Sequence, residues 1–522
     1  MYYKLKDDFR LRGWELLPTG VVRRLSGNVD FLPPDIYRAL QKACSSIPAD
    51  SALFSAEEKK MLAELCEAGI LEKSEVPAPL SDAQKYRAYP NRFLYSVHWA
   101  ITGNCNCRCR HCYMSAPTRT EALVRAQAQE APTLRQPTRT EALVRAQAQE
   151  APLLRPPSGK VNEPTLSDCL DVVRQMEAAG VRTVSLTGGE ALLRRDFFAI
   201  VDALIDADIL IVTVMSNGLL VNEKTLDEFE RRGLRPEFNM SFDGVGCHDW
   251  LRGVPGAEQA VLRAFSLCRE RGFPTGAEYC LHKGNLSALR ESVKLLGELG
   301  CQTLKVNRLN VEGEALGIAD YAITRDEEFQ TYLDYIPQFY EDGAPLLLML
   351  SGFFCNDGTD GFEIPFVKNE EDEDCGDYCL CGHARNYMYI TAEGAMVPCI
   401  PMGSAEGGRQ TRTDALMPGQ APDAPLLPRR HFPNIRETSF ADALRDSYYM
   451  SFIDTRLRDY FAHNPGCAVC EYRNRCAGGC RGRVAGNKDD LLARDEDACA
   501  FFRQGWYDKV TKLMKKILLD VR

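Results

Sequence analysis

From about residue 95 onward, short apolar runs alternate with longer amphipathic stretches. The runs VHWAITGN, TVSLTGGE, ILIVTVMSNG, EFNMSFDG, TGAEYCL and TLKVNRL have the length and composition of buried strands. Between them, LSDCLDVVRQMEAAG (capped by Thr165 and Asp168), DFFAIVDALIDAD, TLDEFERRG, EQAVLRAFSLCRERG and NLSALRESVKLLGELG carry apolar residues at helical spacing. About six such units predict an α/β fold with a parallel sheet inside and helices outside, a partial (β/α)6 TIM-like barrel. Chemistry in such barrels gathers on the loops after the strand C-termini. The Cys105 loop, Gly188–Glu190, Ser216–Gly218 and Asp243 all fall at such places.

The flanks read differently. Residues 1–90 show strand-like pieces (YYKLK, WELLP, GVVRRL) and a helix starting near Pro34. A second helix is capped by Ser55 and Glu58 and closed by Gly69. This predicts a small winged-helix-like module. The barrel core is expected over 91–320, interrupted by an insertion over 117–160. There PTRTEALVRAQAQEAP occurs twice, too few copies for a solenoid, and an exposed insertion is expected. A bridging region over 321–370, a cysteine-rich region over 371–505 and a terminal helix over 506–522 complete the division. The stretch from Gly403 to about Arg430 is rich in Gly, Pro and Ala and reads as loose, and the run EEDED at 370–374 as a solvated linker.

Composition narrows the class. The chain has 522 residues, 45% hydrophobic and 26% charged, with a net charge of −10. An acidic balance without a basic stripe disfavours nucleic acid as the partner. The start, YYKLKDDFRLRGW, has no apolar signal-peptide core, and the apolar run APLLLMLSGFF is too short for a bilayer. A cytoplasmic protein without a membrane partner is expected. The 21 cysteines are the anomaly. A reducing compartment would not keep so many as disulfides, and thirteen of them cluster: 105, 107, 109 and 112; 375, 379, 381 and 399; 467, 470, 476, 480 and 499. Paired C-x2-C elements alone would suggest zinc. However, CNCRCRHCY carries C-x3-C-x2-C, and three thiolates can hold a four-iron cluster while leaving one iron open for chemistry.

That loop resembles the signature of the radical S-adenosylmethionine (radical SAM) enzymes, with Cys105, Cys109 and Cys112 at the ligand positions. His111 stands where the family usually has an aromatic residue, and Cys107 is an extra thiol inside the x3 gap. SLTGGEALLRRDF resembles the family's GGE element, which lines the methionine end of SAM and contacts its amino group. The C-terminal pattern resembles the seven-cysteine SPASM extension of radical SAM enzymes that modify peptides: Cys381, Gly394, Cys399, then Cys467-x2-Cys470-x5-Cys476-x3-Cys480 and Cys499. Cys375 precedes Cys381 as in members with two fully ligated auxiliary clusters.

The resemblance implies three 4Fe-4S clusters and SAM as cofactors. The SAM-binding cluster would use Cys105, Cys109 and Cys112. One auxiliary cluster would use Cys375, Cys381, Cys399 and Cys480, with Cys379 a rival to Cys375; the other would use Cys467, Cys470, Cys476 and Cys499. Tyr113, Gly188, Gly189, Glu190, Ser216, Asn217, Ser241 and Asp243 are expected around SAM. Asp243 is the one candidate for a catalytic role, and a turn or cap is the alternative for the Asn-Gly and Asp-Gly pairs. The implied activity is maturation of a ribosomal precursor peptide bearing a leader, by a thioether or carbon–carbon cross-link. An external one-electron reductant of flavodoxin or ferredoxin type is the further partner. Formylglycine formation and epimerisation are alternatives within the class, and a multi-cluster electron-transfer protein is the alternative outside it.

Overall fold

A computed structural model describes residues 1–114, 163–356, 361–368, 374–407, 432–445, 447–487 and 490–520. The repeat at 117–156 and nearly all of the acidic run at 370–374 lie outside the described residues, as does most of the Gly/Pro/Ala-rich stretch. Its beginning is helical, within Ile400–Gly407.

The first module contains β1 (Tyr2–Leu5), β2 (Phe9–Glu15), β3 (Leu17–Arg23), β4 (Val29–Phe31), α1 (Pro34–Ala43), α2 (Ala56–Glu67) and β5 (Leu71–Ser74). WELLP is not a strand of its own. Its Leu16 takes a left-handed φ of 66° and turns β2 back along β3. β6 (Arg87–Arg92) pairs with β2, giving the sheet order β4-β3-β2-β6, while β1 pairs with β5. Ser55 and Glu58 form the capping box of α2. Leu5, Leu11, Val21, Leu40 and Leu62 make a separate small core. Trp14 ties this module to the barrel by donating from Nε1 to the carbonyl of Ala179 at 3.1 Å.

The barrel follows the predicted alternation. β7 (Ser96–Ala100), α3 (Leu166–Ala178), β8 (Thr183–Thr187), α4 (Phe197–Asp206), β9 (Leu210–Ser216), α5 (Glu223–Arg231) and β10 (Glu237–Ser241) form its first half. α6 (His248–Arg252), α7 (Ala257–Arg271), β11 (Thr275–Leu281), α8 (Leu289–Glu298), β12 (Thr303–Arg308), α9 (Arg325–Glu341) and β13 (Leu347–Leu350) form its second. Strands β7 to β13 are parallel in chain order. Alternation along each strand splits the side chains. Val97 and Trp99, Val184 and Leu186, Phe238 and Met240, and Leu304 and Val306 belong to the buried core. Ser185, Asn239, Glu278, Lys305 and Asn307 alternate with core positions.

Two edges depart from a simple series. The apolar run around residue 347 supplies the seventh parallel strand, and β14 (Phe354–Asn356) and β15 (Phe362–Glu363) continue it antiparallel. At the other edge β16 (Tyr387–Ile390) lies parallel to β7, Tyr387 opposite Ser96 and Ile390 opposite Trp99, and β17 (Met396–Val397) pairs with it. The cysteine-rich region is thereby joined to the first barrel strand. It is otherwise built of short helices, ending in the predicted terminal helix Trp506–Asp520, whose Val510 and Met514 are buried.

Candidate active site and auxiliary cluster sites

The C-x3-C-x2-C loop leaves the end of β7 and is held by the next strand. Beyond the β7–β8 ladder the pairing continues: Gly189 N–H donates to the carbonyl of Thr102 and Glu190 N–H to that of Asn104, both at 2.8 Å. A Cβ on Gly189 would stand 2.3 Å from the Asn104 oxygen, and one on Gly188, whose φ is 150°, 2.3 Å from the Thr102 oxygen. The glycines of GGE are therefore required by the close approach of the cysteine loop.

Glu190 is 1% exposed. Ser216 Oγ donates to its Oε1 at 3.0 Å and the Asn217 N–H to its Oε2 at 2.8 Å. Burial pushes its carboxyl up to about 7 in spite of these donors. Asn217 Nδ2 donates to Asn106 Oδ1 at 2.7 Å and lies 3.8 Å from Cys105 Sγ. Glu190, Ser216, Asn217 and the Cys105 loop are thus brought together. Ser241 stands at the end of β10 on the inner side. Tyr113 is 40% exposed and hydrogen-bonds Tyr389 of β16. The segment after β12 closes on the loop, with Glu314 N–H donating to the carbonyl of Cys112 at 3.0 Å.

Asp243 is fully buried and engaged through both oxygens. Arg252 Nε donates to Oδ2 at 2.7 Å and His248 Nδ1 lies 3.1 Å from it, while the Cys280 N–H donates to Oδ1 at 3.0 Å. Burial alone would raise this carboxyl; the Arg252 guanidinium and His248 reverse that and hold it far below the usual carboxylate range. Arg252 Nη1 reaches to 3.7 Å from Cys109 Sγ. A hydrogen bond from the Cys107 thiol, with Arg252 in support, pulls Cys109 down to about 6 against burial. Cys107 packs among Leu219, Val254, Ala257 and Ala260, with Cys105 and Cys109 at its border. A loop that draws a thiol toward thiolate and surrounds its sulfurs with amide and guanidinium donors fits an iron–sulfur cluster.

Sequence reasoning missed Arg252 and His248. The signal was the string HDWLR just after Asp243, on a helix too short to show periodicity. It also missed Glu278, Lys305 and Asn307. Asn307 Nδ2 donates to Glu278 Oε2 at 2.6 Å, and Lys305 Nζ lies 3.9 Å from Glu278. Enclosure in the barrel pushes the Glu278 carboxyl up. Charged residues inside strands of a parallel sheet, which ordinarily read as continuous apolar runs, were the available sign.

In the C-terminal region Cys467, Cys470, Cys476 and Cys499 line one cavity with Tyr460, Tyr472 and Phe502. These four sulfurs thus line a shared space, where a cluster could be held. Cys381, Cys399 and Cys480 form a second group that share one another's fields. Cys375 is 1% exposed among Leu380, Leu457 and Tyr460, with its Sγ 3.2 Å from Asn474 Oδ1. Arg456 Nη1 lies 2.9 Å from Cys379 Sγ. Of the eight scattered cysteines, five are buried, as small hydrophobes are.

Comparison with known proteins accords with this geometry. The radical SAM superfamily matches residues 99–296, and the iron–sulfur cluster-binding domain called SPASM matches residues 379–471. The chain is thus an enzyme with a radical SAM domain followed by a SPASM domain. A radical SAM domain binds SAM and a 4Fe-4S cluster, and a SPASM domain binds auxiliary iron–sulfur clusters. The AdoMet-dependent heme synthase of Methanosarcina barkeri is 23% identical over 78% of this chain and 97% of its own length. The PqqA peptide cyclase of Gluconobacter oxydans is 21% identical over 59% of this chain and 75% of its own. In structure the chain is similar to SuiB of Streptococcus suis bound to its precursor peptide SuiA, with a TM-score of 0.58, 15% identity and coverage of 95% of this chain and 99% of that one. At that identity the structural likeness speaks for the fold. When bound, SAM and its cluster would supply radical chemistry for taking hydrogen from an unactivated carbon; this chain's own residues would bind, orient and exclude water. No helix among the described residues is long and apolar enough to cross a membrane.

Proposed function

We propose that the protein is a peptide maturase that abstracts hydrogen from a ribosomal precursor and installs a thioether or carbon–carbon cross-link. The observation that carries this reading is the fold, which is similar to a peptide-bound SPASM enzyme along 95% of the chain. In this reading Cys105, Cys109 and Cys112 hold the SAM-binding cluster, with SAM lying along Gly188–Glu190, Ser216, Asn217 and Ser241. Asp243 acts by orienting Arg252 toward Cys109. The inner face with Glu278, Lys305 and Asn307 receives the reacting residue. Residues 1–90 grip the leader, and the short outer strand β4 offers an open edge for an added strand. Cys467, Cys470, Cys476 and Cys499 hold one auxiliary cluster. Cys381, Cys399 and Cys480, with Cys375, hold the other. A flavodoxin or ferredoxin supplies the electron.

A tetrapyrrole substrate is the second reading, favoured by the heme synthase among the relatives. One experiment separates the two. The anaerobically reconstituted enzyme is given SAM, reductant and the short peptide encoded beside its gene, and deoxyadenosine and peptide mass are followed. Deoxyadenosine formation stimulated by the peptide, with loss of two hydrogens per link, is the expected result. Stimulation by a porphyrin but not by the peptide would sink the peptide reading.

A further inference from the structure

Lys368, exposed overall, hydrogen-bonds the turn that links the two proposed auxiliary sites. Its backbone N–H donates to the carbonyl of Arg475 at 2.8 Å, and its ammonium donates to the carbonyls of Ala477 and Gly479. The two acceptors of the ammonium belong to the turn from Cys476 to Cys480, in which Ala477, Gly478 and Gly479 all take left-handed φ values of 41°, 75° and 72°. The turn joins one cysteine group to the other. Cys476 lines the cavity with Cys467, Cys470 and Cys499, while Cys480 belongs with Cys381 and Cys399. Desolvation lowers the pKa of the ammonium, and the sulfurs of Cys480, Cys381 and Cys476 act in the opposite sense. Asp495 braces the same turn, accepting from the Cys480 N–H at 2.7 Å and capping the helix Glu496–Arg503 that carries Cys499. Its charge is met by Arg483 at 2.9 Å. On the far side Arg481 donates to the carbonyl of Gly478.

We propose that Lys368 is a positioning residue for the auxiliary pair: it holds the Cys476–Cys480 turn, and its positive charge favours an added electron on both neighbouring clusters. Net charge and hydrogen bonding around the sulfurs are the levers a protein has on cluster potential. A cation shared by two clusters stabilises the reduced state of each. The inference rests on the ligand groups proposed above.

The test is a reductive titration of the reconstituted holoenzyme with dithionite, reading the auxiliary signals by electron paramagnetic resonance. Added SAM alters only the cluster it binds and so marks that signal apart. Lys368→Gln keeps a donor to the turn and removes the charge; Lys368→Arg keeps both; Lys368→Met removes both. At the potential where native auxiliary clusters are half reduced, Lys368→Gln is expected to lower the reduced-to-oxidised ratio about tenfold, equal to about 59 mV for a one-electron couple. Lys368→Arg is expected to stay near native, and Lys368→Met to shift at least as far as Lys368→Gln. The spectra read only loaded clusters, so partial loading does not obscure the shift. An unshifted ratio in Lys368→Gln overturns the proposal, and so does equal loss of auxiliary iron in the Gln and Arg variants. Native enzyme with iron for fewer than two auxiliary clusters overturns the ligand groups themselves, and this inference with them.

Discussion

The barrel mouth and the C-terminal region hold their sulfurs in opposite ways. Cys105, Cys109 and Cys112 come from one loop, braced by a continued β-ladder and by two glycines pressed against its carbonyls. The auxiliary cysteines come from segments far apart in sequence, held by short helices and one left-handed turn. Backbone pairing prepares the first site before any iron arrives. In the second, iron itself would staple distant segments, so that binding and local folding are coupled.

The sharpest way to break this comparison is to remove the loop thiols. Replacing Cys105, Cys109 and Cys112 together by Ala is expected to take deoxyadenosine formation to background while auxiliary iron stays at its native level. Loss of all iron would mean that the two regions are not independent. Next in size is Cys499→Ala, which removes one sulfur from the cavity of four. One cluster's iron should be lost, and amide protection across the C-terminal region should fall in hydrogen exchange, with the barrel strands unchanged. Chelation of the auxiliary iron should give the same pattern. Protection that survives both would show the region to be as preformed as the barrel.

A pair of glycines measures the rigidity of each site. Gly189→Ala forces a methyl against the Asn104 carbonyl, a backbone atom with no freedom to retreat. Overpacking of this kind costs about 3 kcal/mol. Tenfold or greater loss of deoxyadenosine yield is expected, with reduced iron at the SAM cluster only. Gly482 in the C-terminal region would place its Cβ 3.2 Å from Cys399 Sγ and from Pro401, contacts that a small shift relieves. Gly482→Ala is expected to keep auxiliary iron within about twofold of native. Equal damage from the two substitutions would erase the distinction.

The same contrast governs what the sequence made legible. All six predicted barrel strands exist because each carries its own apolar signal. The seventh, Leu347–Leu350, lay inside the run weighed only as a membrane span. β16 pairs with β7 from nearly three hundred residues away, and nothing local in YMYI announces that partner. At the barrel mouth, cysteines and glycines were visible through spacing. Arg252 was not, because its role depends on a five-residue helix turning it back onto Asp243 and Cys109. WELLP misled because Leu16 makes its turn without the usual Gly or Asn, which a propensity reading cannot anticipate.

The smallest expected effect uses two buried carboxylates of the barrel mouth that are shifted in opposite directions. Glu190 is pushed up from 4.5 to about 7 by burial. Between those two values the unfolded chain has released this proton while the folded chain keeps it. Stability of the iron-free protein should therefore fall as pH rises from about 4.5 to about 7 and then level off. At about 1.4 kcal/mol per pH unit the contribution is at most about 3 kcal/mol. Asp243 is held below its ordinary range by Arg252 and His248, so its contribution is present above the unfolded value and is lost only as pH falls below that range. In denaturant melts of the iron-free protein, Glu190→Gln should flatten the slope between pH 5 and 7 and leave the acid limb, where Asp243 acts, unchanged. If native protein and Glu190→Gln show the same slope, the donors from Ser216 and Asn217 outweigh burial and keep Glu190 ionised. The barrel mouth would then present a fixed negative charge beside the cysteine loop.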